Sequence, residues 1–166
     1  LPFLPDIAKL EWQIAESFHE FQKRSIALEE LSKLSPEDWE ELLFDFQPAA
    51  RLFSSKWPVL DIWNARKTPL NEINIDLVDR PQNILIYRND IQVVCELMDK
   101  DPFSVLKGLH SGKTLGKVFE KFSRQNEANP LPITQWFANW AAKGLITDYR
   151  IRKRSGHPTR LSFARA

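Results

Sequence analysis

The residues of this chain that could do chemistry are few and far apart. The three histidines are His19, His110 and His157. None has a second His or Cys at a spacing typical of a metal site. The single cysteine, Cys95, alternates with Val93 in an apolar run, which predicts a buried thiol and excludes an internal disulfide. Residues 112–114, Gly-Lys-Thr, lack the upstream glycine of a phosphate-binding loop. The sequence therefore predicts a non-catalytic chain with no metal or cofactor of its own.

The densest group of carboxylates follows Ser35-Pro36. It consists of Glu37, Asp38, Glu40 and Glu41. Such a cluster could bind a metal or serve as an acid and base, but no histidine accompanies it. A serine followed by proline and acids is also typical of a helix N-terminus. We expect these carboxylates to lie on the exposed face of a short helix.

Basic residues accumulate at the C-terminus, so the charge along the chain is uneven. Residues 1–48 carry 4 basic and 11 acidic side chains, residues 49–100 carry 7 and 7, and residues 101–166 carry 12 and 4. In the tail, Arg152, Lys153 and Arg154 could contact nucleic-acid phosphates. A solvated terminus is the alternative interpretation.

Length and composition are those of an ordinary folded protein. The chain has 166 residues, of which 43% are hydrophobic and 27% charged, which allows one domain or two small ones. No apolar run approaches the roughly 18 to 20 residues of a membrane span, and residues 1–12 do not resemble a signal peptide. We therefore predict a cytoplasmic protein with no membrane partner. Because the sequence starts at Leu1, we expect a fragment or a processed product.

The predicted helices are arranged around one central segment, residues 80–97, RPQNILIYRNDIQVVCEL. Two runs rich in Ile, Val, Leu and Tyr, joined by residues 89–90, Asn-Asp, predict a β-hairpin. With those two residues as the loop, Ile86 pairs with Val93 and Ile84 pairs with Cys95. One face is then apolar and the other carries the half-polar set Leu85, Tyr87, Gln92, Val94 and Glu96. A free strand edge in this hairpin could accept a strand from a partner.

Helices are predicted on both sides of the hairpin. The first has an apolar face made by Ile7, Leu10, Ile14, Phe18 and Phe21. Trp12 either widens that face or anchors a partner. Residues 44–55 are ambiguous between strands and helix. After the hairpin come three helices, of which the third, residues 133–143, carries Trp136, Phe137 and Trp140, and then a strand at 145–151 that could pair with residues 159–163.

This order predicts an α+β fold with two subdomains. A mainly helical subdomain, residues 1–78, faces a partner, and residues 79–166 form a winged-helix-like subdomain with a basic tail. A winged helix ordinarily suggests DNA binding, but the third helix is aromatic and offers few side chains for reading base edges.

Three segments carry a family resemblance. LPFLPDIAKLEW, RLFSSKWPVLDIW and RPQNILIYRND are similar to segments of the HvfC/BufC/MbnC-like family, first labelled as DNA-binding. The resemblance implies an accessory protein in the maturation of ribosomally made peptides. Such proteins work beside MNIO enzymes, which are multinuclear non-haem iron oxidases that modify cysteines of a precursor peptide. Family members usually carry an additional helical N-terminal domain, which this sequence lacks. The iron is expected in the partner enzyme.

Residues 80–144 also resemble the PqqD-type peptide recognition element, in which a leader peptide adds as a strand and packs against the third helix. The resemblance implies a peptide-binding set of Ile91, Gln92, Val93, Val94, Glu96, Trp136 and Trp140. Core packing is the alternative for the two tryptophans. Charge and helix exposure suggest Trp12 and Glu16 as residues that face the oxidase.

Two hypotheses for the function follow. The first is a non-catalytic adaptor that binds the precursor by β-strand addition and presents it to an MNIO oxidase. The second is a winged-helix DNA-binding transcriptional regulator, and a purely structural interaction domain is a third possibility. For the adaptor, Val94→Pro is expected to remove a backbone donor from the accepting edge.

Overall fold

The protein has an α+β fold, as predicted. A computed structural model describes residues 1–75, 77–123, 132–152 and 158–159. In this part of the chain the helices are α1 (Leu4–His19), α2 (Pro36–Glu40), α3 (Val59–Ala65), α4 (Lys100–His110), α5 (Leu115–Ser123) and α6 (Ile133–Ala142). The strands are β1 (Leu42–Phe46), β2 (Arg51–Ser55), β3 (Gln82–Asn89), β4 (Gln92–Leu97), β5 (Ile146–Arg152) and β6 (Pro158–Thr159). Short 3₁₀ helices span Leu28–Lys33 and Leu70–Glu72. The ambiguous segment 44–55 thus contains the end of β1 and the whole of β2.

The chain divides into two compact units, each made of two sequence segments. Unit 1 contains Leu1–Gln22 and Pro48–Phe103, and unit 2 contains Lys23–Gln47 and Ser104–Ala166. The predicted division between residues 78 and 79 does not coincide with these units. The reason is that β2, which precedes residue 78, pairs with β3, which follows it.

Unit 1 is a three-stranded antiparallel sheet, in the order β2-β3-β4, with α1 and α3 packed on one face. The buried residues of this core are Leu10, Phe53, Val59, Leu60, Ile84 and Ile86. Val93 and Cys95 of β4 pack against it and are partly buried. This is the apolar face predicted for the hairpin, and it is confirmed.

The apolar face of α1 is shorter than predicted. Leu10 is fully buried, and Ile7 and Ile14 pack against the core. Phe18 and Phe21 instead expose 54% and 63% of their surface. The helix ends at His19, so Phe21 no longer follows the helical period that predicted its burial.

The hairpin loop lies one residue further along the chain than predicted. Asn89 pairs with Gln92, Ile86 with Cys95 and Ile84 with Leu97, so the loop is Asp90-Ile91. Asp90 has φ +56°, a left-handed conformation that aspartate tolerates better than most residues. Each β3 residue is therefore opposite a β4 residue two positions later than predicted. Since side chains alternate with period two, the faces are unchanged although the register is wrong.

Unit 2 contains the sheet β1-β5-β6, in which both pairings are antiparallel. The predicted cap of α2 is confirmed, since the Ser35 side chain accepts the Asp38 N–H at 3.2 Å. Phe137 of α6 lies between Phe44 and Trp140, with ring centroids 5.3 and 5.1 Å away. Aromatic packing thus holds α6 to β1.

The winged-helix-like subdomain is not confirmed. The hairpin β3-β4 pairs with β2 in unit 1, whereas β5 pairs with β1 in unit 2. The sequence showed no period that separated β1 from β2, so it could not indicate that each of them completes a different sheet.

Candidate functional site

The candidate site is the outer edge of β4, which is an edge strand of the unit 1 sheet. The Met98 N–H donates to the Asn83 carbonyl oxygen at 2.9 Å, in register with the ladder that pairs Ile84 with Leu97. In an antiparallel ladder, residues that bond the neighbouring strand alternate with residues whose backbone groups point away. Counting back from Met98, the residues of β4 that bond β3 are Gln92, Val94 and Glu96.

Three β4 residues therefore point their N–H and C=O groups away from β3: Val93, Cys95 and Leu97. Among the described residues, nothing forms a hydrogen bond to these outward groups. An edge with unpaired donors and acceptors is a template for adding another strand. The geometry thus provides a row of alternating backbone donors and acceptors for an extended segment.

The side chains of these three residues lie on the same face as α1 and α3. Cys95 is opposite Ile86, and Leu97 is opposite Ile84, and residues directly opposite each other share a face. Val93 and Cys95 are partly buried, while Leu97 exposes 50% of its surface. An added strand would extend this apolar face beyond β4.

Trp63 of α3 lies on this face, and Arg66 follows the end of the helix. Trp63 is half-buried and packs against the unit 1 core. The guanidinium carbon of Arg66 lies 3.2 Å from the centroid of the Trp63 ring, and its Nη1 donates to the Trp63 carbonyl oxygen at 2.5 Å. Stacking of this kind holds a guanidinium in place while leaving other N–H donors available. Arg66 is exposed, and it forms no ion pair with any described residue.

The Cys95 thiol is a poor nucleophile. Burial raises the pKa of this thiol to about 11, and the positive charge of Arg66 acts in the opposite direction. The thiol is therefore protonated near neutral pH, in line with the structural role predicted for it.

The predicted peptide-binding residues are divided between the two units. Ile91 lies in the hairpin loop and exposes 75% of its surface. Val93 faces the free edge, whereas Gln92, Val94 and Glu96 turn their backbone groups to β3. Replacing Val94 by proline would thus break the hairpin ladder instead of removing an outward donor.

The two predicted tryptophans belong to unit 2, whereas β4 belongs to unit 1. Trp140 exposes only 2% of its surface and packs against Phe137, so its burial favours the core-packing alternative. Trp136 is half-buried. Their role in peptide binding stays a prediction.

The predicted partner-facing residues lie on α1. Trp12 exposes 67% of its surface, so it does not widen the apolar face of the helix. Glu16 is engaged within unit 1, since its Oε2 lies 3.5 Å from an Arg51 nitrogen. Trp12 is thus accessible to a partner, while Glu16 helps to hold α1 on β2.

The predicted nucleic-acid contacts are described only at Arg152, because Lys153 and Arg154 lie outside the described residues. The Arg152 Nε lies 3.4 Å from Glu41 Oε2. Both residues line a cleft of about 640 Å³ in unit 2, whose other charged lining residues are Glu40, Lys117 and Glu120. Arg152 is thus paired with a carboxylate in a mixed-charge cleft. The described residues hold no group of three or more His, Cys, Asp or Glu side chains arranged to bind a metal.

The sequence interpretation missed four residues of the candidate site: Cys95 and Leu97 on the edge, and Trp63 and Arg66, which stack on each other. The first two were missed because the choice of loop residues set the register. A loop of Asp90-Ile91, equally short, would have identified them. Trp63 and Arg66 are separated by one helical turn, which signals a shared face, but no sequence signal connects them to β4.

No family model matches this chain, and no curated protein matches it. None of the helices in the described ranges is both long and apolar enough to cross a bilayer.

Proposed function

We propose that this protein is a non-catalytic adaptor that binds an extended segment of a ribosomally made precursor peptide by strand addition to β4. The observation that carries the proposal is the row of unpaired backbone groups on Val93, Cys95 and Leu97. Backbone pairing supplies affinity in such complexes, and alternate side-chain positions supply selectivity.

The partner enzyme follows from the family resemblance. An MNIO oxidase would hold the iron and modify cysteines of the precursor, and the adaptor would present the peptide to it. Trp12, which is exposed on α1, is the surface residue that we assign to the enzyme contact. Large exposed aromatic residues are frequent anchors of protein interfaces.

The first test is co-purification of the chain with an MNIO oxidase and a precursor peptide, sought among the genes that neighbour its own. We expect a complex in which the iron follows the oxidase and the leader segment of the precursor is required for tight binding. Titration of the leader into the isolated chain then measures its affinity.

The accepting edge is tested by Val93→Pro, with Val93→Ala as the matched control. Proline removes the outward N–H and places its ring in the path of the added strand, without removing a bond to β3. We expect leader affinity to fall at least about tenfold, which corresponds to about 1.4 kcal/mol. Alanine keeps the N–H and should change affinity by less than about threefold, the smaller effect of losing side-chain contact alone. If a folded Val93→Pro protein binds the leader like the unaltered chain, β4 is not the accepting edge.

The regulator is the alternative hypothesis, and Arg152, the described member of its predicted contacts, is paired with Glu41. The regulator hypothesis predicts binding to DNA, whereas the adaptor proposal predicts binding to the oxidase and the precursor. If the folded chain binds neither partner and instead retains duplex DNA with a steep salt dependence, the adaptor proposal is wrong.

A further inference from the structure

The outward backbone groups of β4 are complementary to themselves. They belong to Val93, Cys95 and Leu97, which are evenly placed about Cys95. A two-fold axis at Cys95 would set this residue opposite Cys95 of a second copy and would set Val93 opposite Leu97. The residues of each pair would then exchange two backbone hydrogen bonds, as the bonded pairs of an antiparallel ladder do. Every outward donor of the edge thus has an acceptor in this register.

The side chains on the helix-bearing face fit the same register. A two-fold axis perpendicular to the sheet leaves α1 and α3 of both copies on the same side of the joined sheet. Val93 is partly buried against the core, and Leu97 exposes 50% of its surface. Each Leu97 would lie against Val93 of the other copy, because directly opposite residues have Cβ atoms about 5 Å apart. The pairing would therefore cover a large apolar side chain that is half exposed in the single chain.

The charges on the other face of the sheet are compatible with this register. Glu96 points its side chain to that face, and it would lie opposite Val94 of the second copy. Like charges directly opposite each other are unfavourable, and none arises between the β4 residues. The strand also lacks the lysine, proline or bulge that commonly protects an edge strand from pairing.

We propose that β4 pairs antiparallel with β4 of a second copy of this chain, with Cys95 opposite Cys95, and that this pairing competes with the precursor peptide for the edge. The competition rests on the proposed function, whereas the self-pairing does not. A single strand pair is a small interface, and small interfaces are typical of transient complexes. The dimer is therefore weak, with a dissociation constant on the order of 100 μM, and a peptide that adds to β4 releases the monomer.

The self-pairing is tested by sedimentation equilibrium of the full chain between about 10 μM and about 1 mM. We expect the average mass to rise from that of one chain toward that of two. Val93→Pro removes an outward N–H from both copies and should raise the dissociation constant at least about tenfold. Val93→Ala keeps the N–H and should have the smaller effect. A chain that stays monomeric over this range, or a dimer that Val93→Pro leaves intact, would overturn the self-pairing.

Charge substitutions at Val94 test the register. Val94→Glu sets carboxylates opposite each other and should raise the dissociation constant at least about threefold, whereas Val94→Lys sets an ammonium opposite Glu96 and should lower it. If both substitutions weaken the dimer equally, Val94 lies opposite itself and the register centred on Cys95 is wrong. Ser54→Glu is the control, because Ser54 is exposed on β2 at the other edge of the sheet. It should leave the dimer unchanged, and a dimer broken by Ser54→Glu alone would use β2 instead.

The competition is tested with a synthetic peptide of residues 91–98, which carries the outward groups of β4. We expect this peptide to bind the full chain and to dissociate the dimer, and the same peptide with Val93→Pro should do neither. If the peptide binds but leaves the dimer intact, the two do not share the edge and the competition is wrong. A chain that stays monomeric and still binds the precursor leader would contradict the self-pairing and leave the adaptor function intact.

Discussion

The Ser17 hydroxyl donates a hydrogen bond to the Ala49 carbonyl oxygen at 2.7 Å, joining α1 to the residues that lead into β2. Ser17 is fully buried, and Ala49 exposes only 4% of its surface. This contact joins two parts of unit 1 that are 32 residues apart in the sequence. It supports the core that positions β3 and, through it, the β4 edge.

Ser17→Ala should destabilise the protein. It leaves the Ala49 carbonyl without its partner in a buried place, at a cost of about 1–3 kcal/mol in the free energy of unfolding. Urea unfolding followed by tryptophan fluorescence measures the change. Ser54→Ala is the matched control, because the Ser54 hydroxyl bonds Asn83 Oδ1 in an exposed position and its loss should cost less than about 0.5 kcal/mol. Equal losses for the two variants would contradict the structural role of Ser17.

Val94→Pro should reduce stability more than Val93→Pro. The Val94 N–H points to Tyr87, its partner in the ladder, so proline breaks an internal bond and orphans a carbonyl of a buried residue. We expect an additional loss of about 1–3 kcal/mol relative to Val93→Pro. Urea unfolding of the two variants tests which β4 residues bond β3 and which point outward, and it needs no ligand. If Val93→Pro is the more destabilising substitution, the assignment is wrong: Val93 would bond β3 and Val94 would point outward.

Cys95 should react slowly with thiol reagents in the folded protein. Because its pKa is raised to about 11, the thiolate fraction at pH 8 is about a hundredfold below that of a thiol of pKa 9.0. The rate of reaction with a disulfide reagent should therefore rise steeply between pH 9 and pH 11, and unfolding in urea should accelerate it at pH 8. A rate at pH 8 that is the same in the folded and unfolded states would be incompatible with the buried thiol.

The raised pKa of Cys95 also makes the free energy of unfolding depend on pH. The folded state holds the proton more tightly than the unfolded state, so the stabilisation from this group is fully present below pH 9. It is lost as the pH rises toward about 11. Cys95→Ala should make the dependence of unfolding on pH shallower in that window, which comparative urea titrations can measure.

Gly116→Ala should disturb the packing of α5 on α2. A Cβ at this position would lie 2.8 Å from the Glu40 carbonyl oxygen, and a backbone atom cannot move aside as a flexible side chain can. Overpacking of this kind costs about 1–3 kcal/mol, from which the better helix propensity of alanine recovers up to about 1 kcal/mol. Thermal unfolding should show a net loss.

Lys117→Ala is the control for this substitution, since Lys117 is the next residue of α5 and is exposed. It should leave the free energy of unfolding within about 0.5 kcal/mol. A Gly116→Ala protein as stable as this control would mean that α2 and α5 do not approach each other so closely.

The sequence by itself determined much of the local structure. The Ser35-Pro36 cap and the two faces of the hairpin both follow from residue types and periods. These features depend on contacts within a few residues, which is the range over which a period or a cap acts. The faces of β3 and β4 were predicted correctly although the register was wrong, because a shift of two residues leaves each side chain on the same face.

Only the tertiary structure decided which strands pair and which residues meet. Whether β2 pairs with β3 or with β1 depends on burial across tens of residues, and no local pattern records it. The same applies to Trp12, which is exposed, and to Trp140, which is buried, although both are tryptophans on helices with an apolar face. The outward backbone groups of Val93, Cys95 and Leu97 depend on the register of the hairpin and on the position of β4 at the end of the sheet, so the candidate edge became visible only in the folded chain.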